Sequence, residues 1–252
     1  LGDEKHRDSI DIKPDDIYNY FKTTGQLAKT TAANIEEHTE FIKENVPEGK
    51  EAVYFSIGSD FSATFNNSRI AAEEFENVYV INSRNLSTGI GLQVLYAADL
   101  ADQGKSAKEI YDIITSLTDK VDASFVVDTL EYLHKGGRCS SIAALGANLL
   151  KLKPSIQVKD GKMTVAKKYR GKINDVFREY VNEKLNDPNP VEGTRIFITH
   201  SGGCEEIAEE LRETVQARYP DKEVLVSRAG CTVSVHCGPG TLGILMIRKN
   251  AI

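Results

Sequence analysis

Between residues 45 and 120 the chain twice sets a short β-branched and aromatic run ahead of a helix-forming stretch, a rhythm that admits few architectures. VYFSI (53–57) reads as a buried strand. It runs into SDFSATFNNSRIAAEEF, where Ser62 stands at the place of a helix N-cap ahead of good helix formers. VYVINS (78–83) is the next strand, and after LSTGIG come the apolar helix LQVLYAADLA and then SAKEIYDIITSLTDKV. In the last of these, Ile110, Ile113, Ile114 and Leu117 recur at helical spacing behind a capping box of Ser106 and Glu109. Strands that alternate with helices in this way pair in parallel, because each helix carries the chain back across the sheet.

The second half is richer in strands. FVVDTL, KPSIQV, MTVAKKY, IFITHS, VLVSRA and GILMIR each read as one, interrupted by the helices DVFREYVNEKL and EEIAEELRETVQA. KDGK (159–162) joins two of these strands through an Asp-Gly turn, so at least one pair is antiparallel. The expected fold is α/β in two domains: residues 1–120 with a parallel sheet and residues 121–252 with a mixed or antiparallel one. Charge changes character at the same point. Residues 1–120 carry 12 basic and 21 acidic side chains, whereas residues 121–252 carry 19 and 16.

Several functions are disfavoured at once. A formal net charge of −6 gives no surplus of cations to hold nucleic acid phosphates. No apolar run approaches the roughly 18 residues of a membrane helix. The opening LGDEKHRDSID lacks the basic and then apolar pattern of a secretory leader, so a cytoplasmic location is expected. Cys139, Cys204, Cys231 and Cys237 form no C-x-x-C pair and read as reduced thiols, and no histidine pair has metal-ligand spacing, so no metal is expected. Neither a phosphate-binding P-loop nor G-x-G-x-x-G is present, since G-I-G (89–91) lacks the third glycine, and no nucleotide cofactor is expected.

Four segments rich in small, hydroxylic or glycine residues fall where strands end, which is where open α/β sheets bind ligands. In KTTAAN (29–34), Thr30 and Thr31 read first as caps of the helix that follows. In SDFSATF (59–65), capping by Ser62, with Thr64 beside it, competes with receiving an anion at a helix start. In EYLHKGGRCSS (131–141), paired glycines including Gly137 fix the pose of Arg138, a side chain suited to clamping carboxylates. In VHCGPGTLG (235–243), Gly238, Pro239 and Gly240 specify a rigid turn beside His236. His200 has a similar setting with weaker surroundings. A hydrolase triad of Ser62, His236 and Asp128 can be drawn, but the G-x-S-x-G elbow is absent. The basic residues from Lys151 to Lys172 read as a solvated surface, with docking of an acidic partner as the alternative.

Taken in order, KTT, SDFSATF, FVVDTLEYLHKGGR, LGANLLKLKPSI followed by DGK and YRG, and HCGPGTLG resemble the DegV family of fatty-acid-binding proteins, from about residue 8 to the C-terminus. The resemblance implies two α/β domains with a long-chain fatty acid, such as palmitate, in the cleft between them. It also implies no cofactor and no catalysis by the chain itself, the carboxylate being presented to the separate ATP-binding subunit of a fatty acid kinase. By motif, Thr30 and Ser62 supply the hydroxyls that meet the carboxylate, Arg138 and His236 accompany them, and Thr31, Thr64, Gly137 and Gly238 are secondary. The chain reads TTAAN where the family usually reads T-S-Q-P-S, and SATFNN where it reads S-G-T-Y-Q-S. The strand ending in Asp-Ser with which family members begin has no counterpart here, so the N-terminal sheet is expected to lack it. An acyl hydrolase using Ser62 and His236 is the main rival reading, and a sugar- or phosphate-binding regulatory domain is a third.

Overall fold

In a computed structural model, residues 1–139 and 152–252 are described. LGANLL and Lys151 lie outside the described residues. The first half runs α1 (Pro14–Thr24), α2 (Ile35–Asn45), β1 (Ala52–Ser56), α3 (Thr64–Ala72), β2 (Val78–Asn82), α4 (Thr88–Asp102) and α5 (Ala107–Leu117). β1 and β2 pair in parallel from Ala52↔Val78 to Ser56↔Asn82. The Ser106–Glu109 capping box opens α5 as its sequence requires.

The second half runs β3 (Val121–Val126), α6 (Glu131–Gly136), β4 (Lys153–Lys159), β5 (Lys162–Tyr169), α7 (Ile173–Leu185), β6 (Val191–His200), α8 (Glu205–Arg218), β7 (Glu223–Arg228), α9 (Cys231–Cys237) and β8 (Leu242–Arg248). Its six strands lie in the order β5-β4-β3-β8-β6-β7. All neighbours are antiparallel except β6 and β7, so the sheet is mixed as expected. Asp160 and Gly161 close the β4–β5 hairpin with φ of 51° and 77°, left-handed values that Asp and Gly tolerate best.

α4 lies between the two sheets. Leu92, Ala97 and Leu100 pack in one cluster with Ile81 of β2, Phe125 of β3, Phe197 of β6 and Leu245 of β8, and Thr88 Oγ1 meets Thr199 Oγ1 at 2.5 Å. A helix buried on more than one side needs apolar residues all round, which is why LQVLYAADLA carries no single apolar stripe. The other face of the six-stranded sheet is covered by α7 and α8, with Phe177, Tyr180 and Leu211 against Ile196 and Met246. β8 is therefore buried along its whole length.

Three short helices depart from the sequence expectation. α1 was not foreseen, and α6 and α9 take up EYLHKG and CTVSVHC, which read as loop and turn. The N-terminal arm also lies against the second half. Asp8 accepts hydrogen bonds from the N–H groups of Cys231 (2.7 Å) and Thr232 (2.8 Å), and Ile12 and Ile17 pack with Cys231 and Val235. The divide near residue 120 that we propose thus separates the two sheets, while residues 8–24 cross it. Among the described residues no helix is long and apolar enough to cross a membrane.

Candidate functional site at the junction of the two sheets

Two glycines bring α6 and α9 together. A Cβ on Gly136 would stand 2.5 Å from His236 Nδ1, and one on Gly238 would stand 2.5 Å from the Tyr132 ring. Only backbone without side chains allows this approach, and it presses the His236 imidazole against the end of α6. Gly137, left-handed at φ 64°, ends α6 by donating to Leu133 O at 3.1 Å. The chain then turns so that Arg138 reaches the surface. Its Nη1 donates to Gly136 O at 3.0 Å, and it pairs with no carboxylate among the described residues.

His236 Nε2 lies 3.2 Å from Thr30 Oγ1, while its Nδ1 is buried without a partner among the described residues. Burial, reinforced by the nearby Arg138 charge, pushes the imidazole down to about 4, so it is neutral at neutral pH. Thr30 is available for this contact because α2 is capped elsewhere. Asn34 Oδ1 accepts from Glu37 N (2.8 Å) and Glu37 Oε2 accepts from Asn34 N (2.7 Å), a full capping box. The expectation that Thr30 or Thr31 caps α2 is therefore corrected: the Asn34-x-x-Glu37 spacing wins because it satisfies two donors reciprocally.

Ser62 is corrected by one step as well. The N-cap position of α3 is Ala63, which has no capping atom, and Ser62 Oγ instead accepts from Thr64 N at 3.2 Å and meets Thr64 Oγ1 at 2.8 Å. Asn67 of α3 donates from Nδ2 to Ala33 O at 2.7 Å, tying the Ser62 helix to the Thr30 segment. Thr30, Thr31, Ser62, Thr64, Arg138 and His236 all line one cavity of about 840 Å³, its open mouth included. Ile57, Phe61, Leu86, Met163, Val233 and Cys237 form its apolar wall.

A second, smaller pocket lies against Ala123, Phe125, Val158 and Leu245 on the face of the six-stranded sheet. It shares Leu86, Val233 and Cys237 with the first, so those three side chains border both spaces. His200 borders this inner space, but its Nδ1 accepts from the N–H of Gly202 at 3.2 Å and is engaged locally. The hydrolase triad is not assembled: His236 faces Thr30, Ser62 faces Thr64, and Asp128 is held by Lys153. Among the described residues no group of three His, Cys, Asp or Glu side chains stands ready for a metal, and none of the four cysteines is in a disulfide.

Sequence reasoning missed the apolar wall and Gly136. The paired glycines of KGGR marked the place, but both were assigned to a turn, whereas the first is needed for helix contact.

These features define an α/β protein with an amphipathic cavity at the junction of two sheets, polar at the mouth and apolar within. The chain belongs to the DegV family: residues 1–249 match the family model described as "Uncharacterised protein, DegV family". A DegV domain-containing protein of Clostridium perfringens is 33% identical over 98% of this chain and 87% of its own. The structure of a DegV family protein from Thermus thermophilus, described by its fatty acid binding, is 28% identical with a TM-score of 0.86, covering 96% of this chain and 87% of that one. DegV of Bacillus subtilis, described as a fatty acid binding protein, is 28% identical with a TM-score of 0.81, covering 98% and 88%.

Proposed function

We propose that this chain is a cytoplasmic carrier that holds one long-chain fatty acid and presents its carboxylate to a partner enzyme such as the ATP-binding subunit of a fatty acid kinase. The observation that carries the reading is convergence. Four segments far apart in sequence bring Thr30, Ser62, Arg138 and His236 to the mouth of a single cavity whose deeper walls are apolar. The fatty-acid-binding descriptions of the Thermus and Bacillus relatives support it.

The energetics suit such a ligand. Burying the tail of a palmitate removes about fourteen methylenes from water, roughly 11 kcal/mol before ordering costs. A carboxylate moved out of water without partners costs several kcal/mol, which hydroxyl donors and a cation offset. With its Nε2 protonated, neutral His236 donates to Thr30 Oγ1, and the Thr30 hydroxyl hydrogen is left to point at the carboxylate. Arg138, at the exposed rim, supplies charge where a kinase would approach.

Organic extraction of the purified protein, followed by mass spectrometry, should release a long-chain fatty acid. Added palmitate should raise the melting temperature by mass action. Absence of any acyl chain together with no thermal shift would sink the proposal. Turnover of acyl esters that disappears in Ser62→Ala would favour the hydrolase instead.

A further inference from the structure

The three side chains that border both pockets are carried on constrained backbone. Leu86 lies in a loop whose neighbours Arg84 and Ser87 both take φ of 50°, conformations that non-glycine residues adopt only where the surroundings impose them. Buried Asn85 enforces them. Its Oδ1 accepts from Leu86 N at 3.0 Å, its N–H donates to Ser83 Oγ at 3.2 Å, and Gly89 lies so close that a Cβ there would stand 2.1 Å from Asn85 Oδ1. Gly89 N also donates to Leu86 O at 3.0 Å. Opposite, Val233 and Cys237 are four residues apart on α9 and so share one face of that helix. α9 is itself pinned, by the Asp8 carboxylate at its start and by the Gly136 and Gly238 contacts with α6 at its end.

We infer that Leu86, Val233 and Cys237 form a fixed neck that decides, by length and thickness, which acyl chains this protein retains. The inference rests on the fatty-acid reading above. A chain too short to pass the neck gains nothing from the apolar pocket beyond it, and a methyl-branched chain meets the Leu86 side chain carried on that constrained loop. Each methylene that fails to reach apolar surroundings weakens binding about fourfold.

The test is a titration of palmitic, decanoic and methyl-branched phytanic acids against wild type, Leu86→Phe, Val233→Phe and Leu86→Ala, read as melting shift and as competition with a fluorescent acyl probe. Either phenylalanine narrows the neck, one from each side, so Val233→Phe serves if Leu86→Phe does not fold. Each should weaken palmitic acid by at least about tenfold while leaving decanoic acid within about twofold. Leu86→Ala should gain phytanic acid. Folded phenylalanine variants that keep the wild-type preference for palmitic over decanoic acid would overturn the neck and leave the carrier reading intact. Wild type that takes up neither acid would overturn the carrier reading, and the neck with it.

Discussion

Two arginines at opposite ends of the six-stranded sheet meet opposite fates. Arg248, at the end of β8, is 0% exposed, and every arm of its guanidinium is engaged: Nε with Asp122 Oδ2 at 3.0 Å, Nη1 with Asn189 O at 2.8 Å and Nη2 with Lys184 O at 3.0 Å. Asp122 in turn accepts from Lys184 Nζ at 2.8 Å. Arg138 is exposed at the cavity mouth and, among the described residues, makes one bond to the backbone beside it. Among the described residues the His236 imidazole beside it bonds only through Nε2 to Thr30, its Nδ1 being buried without a partner. A saturated cluster holds a fold together; an unsaturated one at the rim of an apolar cavity is poised for something that arrives from outside.

Removing one partner from the saturated cluster should have the largest effect. Asp122→Ala strands Arg248 as a buried, uncompensated cation, so unfolding in urea should show a loss of about 3–5 kcal/mol. Binding of a fatty acid to the remaining folded protein should be unchanged, since the cluster lies outside both cavities. A loss under about 1 kcal/mol would break the contrast.

Acid should find the other cluster next. The His236 imidazole, held near 4 by burial and by Arg138, returns to about 6.5 when the chain unfolds. Between those values the unfolded chain binds a proton that the folded chain refuses, so stability falls as pH drops from about 6.5 toward 4, by roughly 3 kcal/mol in total. His200, also lowered by burial, adds a slope of the same sign. The relevant measurement is therefore the difference between wild type and His236→Gln. The variant should show a shallower decline over that window, and parallel curves would show that His236 titrates normally.

How much of this was legible depends on how local each signal is. The β1–α3–β2 alternation, the Ser106–Glu109 box and the Asp160–Gly161 turn each depend on residues close in sequence, and the chain forms all three. α6 and α9 span only Glu131–Gly136 and Cys231–Cys237, lengths at which helix propensity alone is marginal, and what holds them is their mutual packing through Gly136 and Gly238. No window of sequence displays that contact. α1 did carry its signals, a proline at its start and Gly25 in the left-handed region after its end, but only Ile17 is buried and the apolar pattern is faint. The site residues stood out as hydroxyls, arginine and histidine beside glycines. The second pocket did not, because its walls come from β3, β4, β6, α9 and β8, which only the folded sheet brings together.

The smallest effect should belong to Arg138, and it closes the contrast with Arg248. An exposed guanidinium with no carboxylate partner among the described residues contributes little to folding, so Arg138→Gln should shift unfolding stability by no more than about 0.5 kcal/mol. Its charge acts instead on what sits in the cavity mouth. Arg138 helps keep His236 deprotonated, so its removal should raise the His236 pKa as followed by the imidazole NMR resonances through a pH titration. The same substitution should weaken binding of a fatty acid carboxylate at low salt and lose most of that effect at high salt, where the wild-type attraction is itself screened. If Arg138→Gln instead destabilises the fold as strongly as Asp122→Ala, both arginines are structural and the cavity mouth has no cation to spare for a ligand.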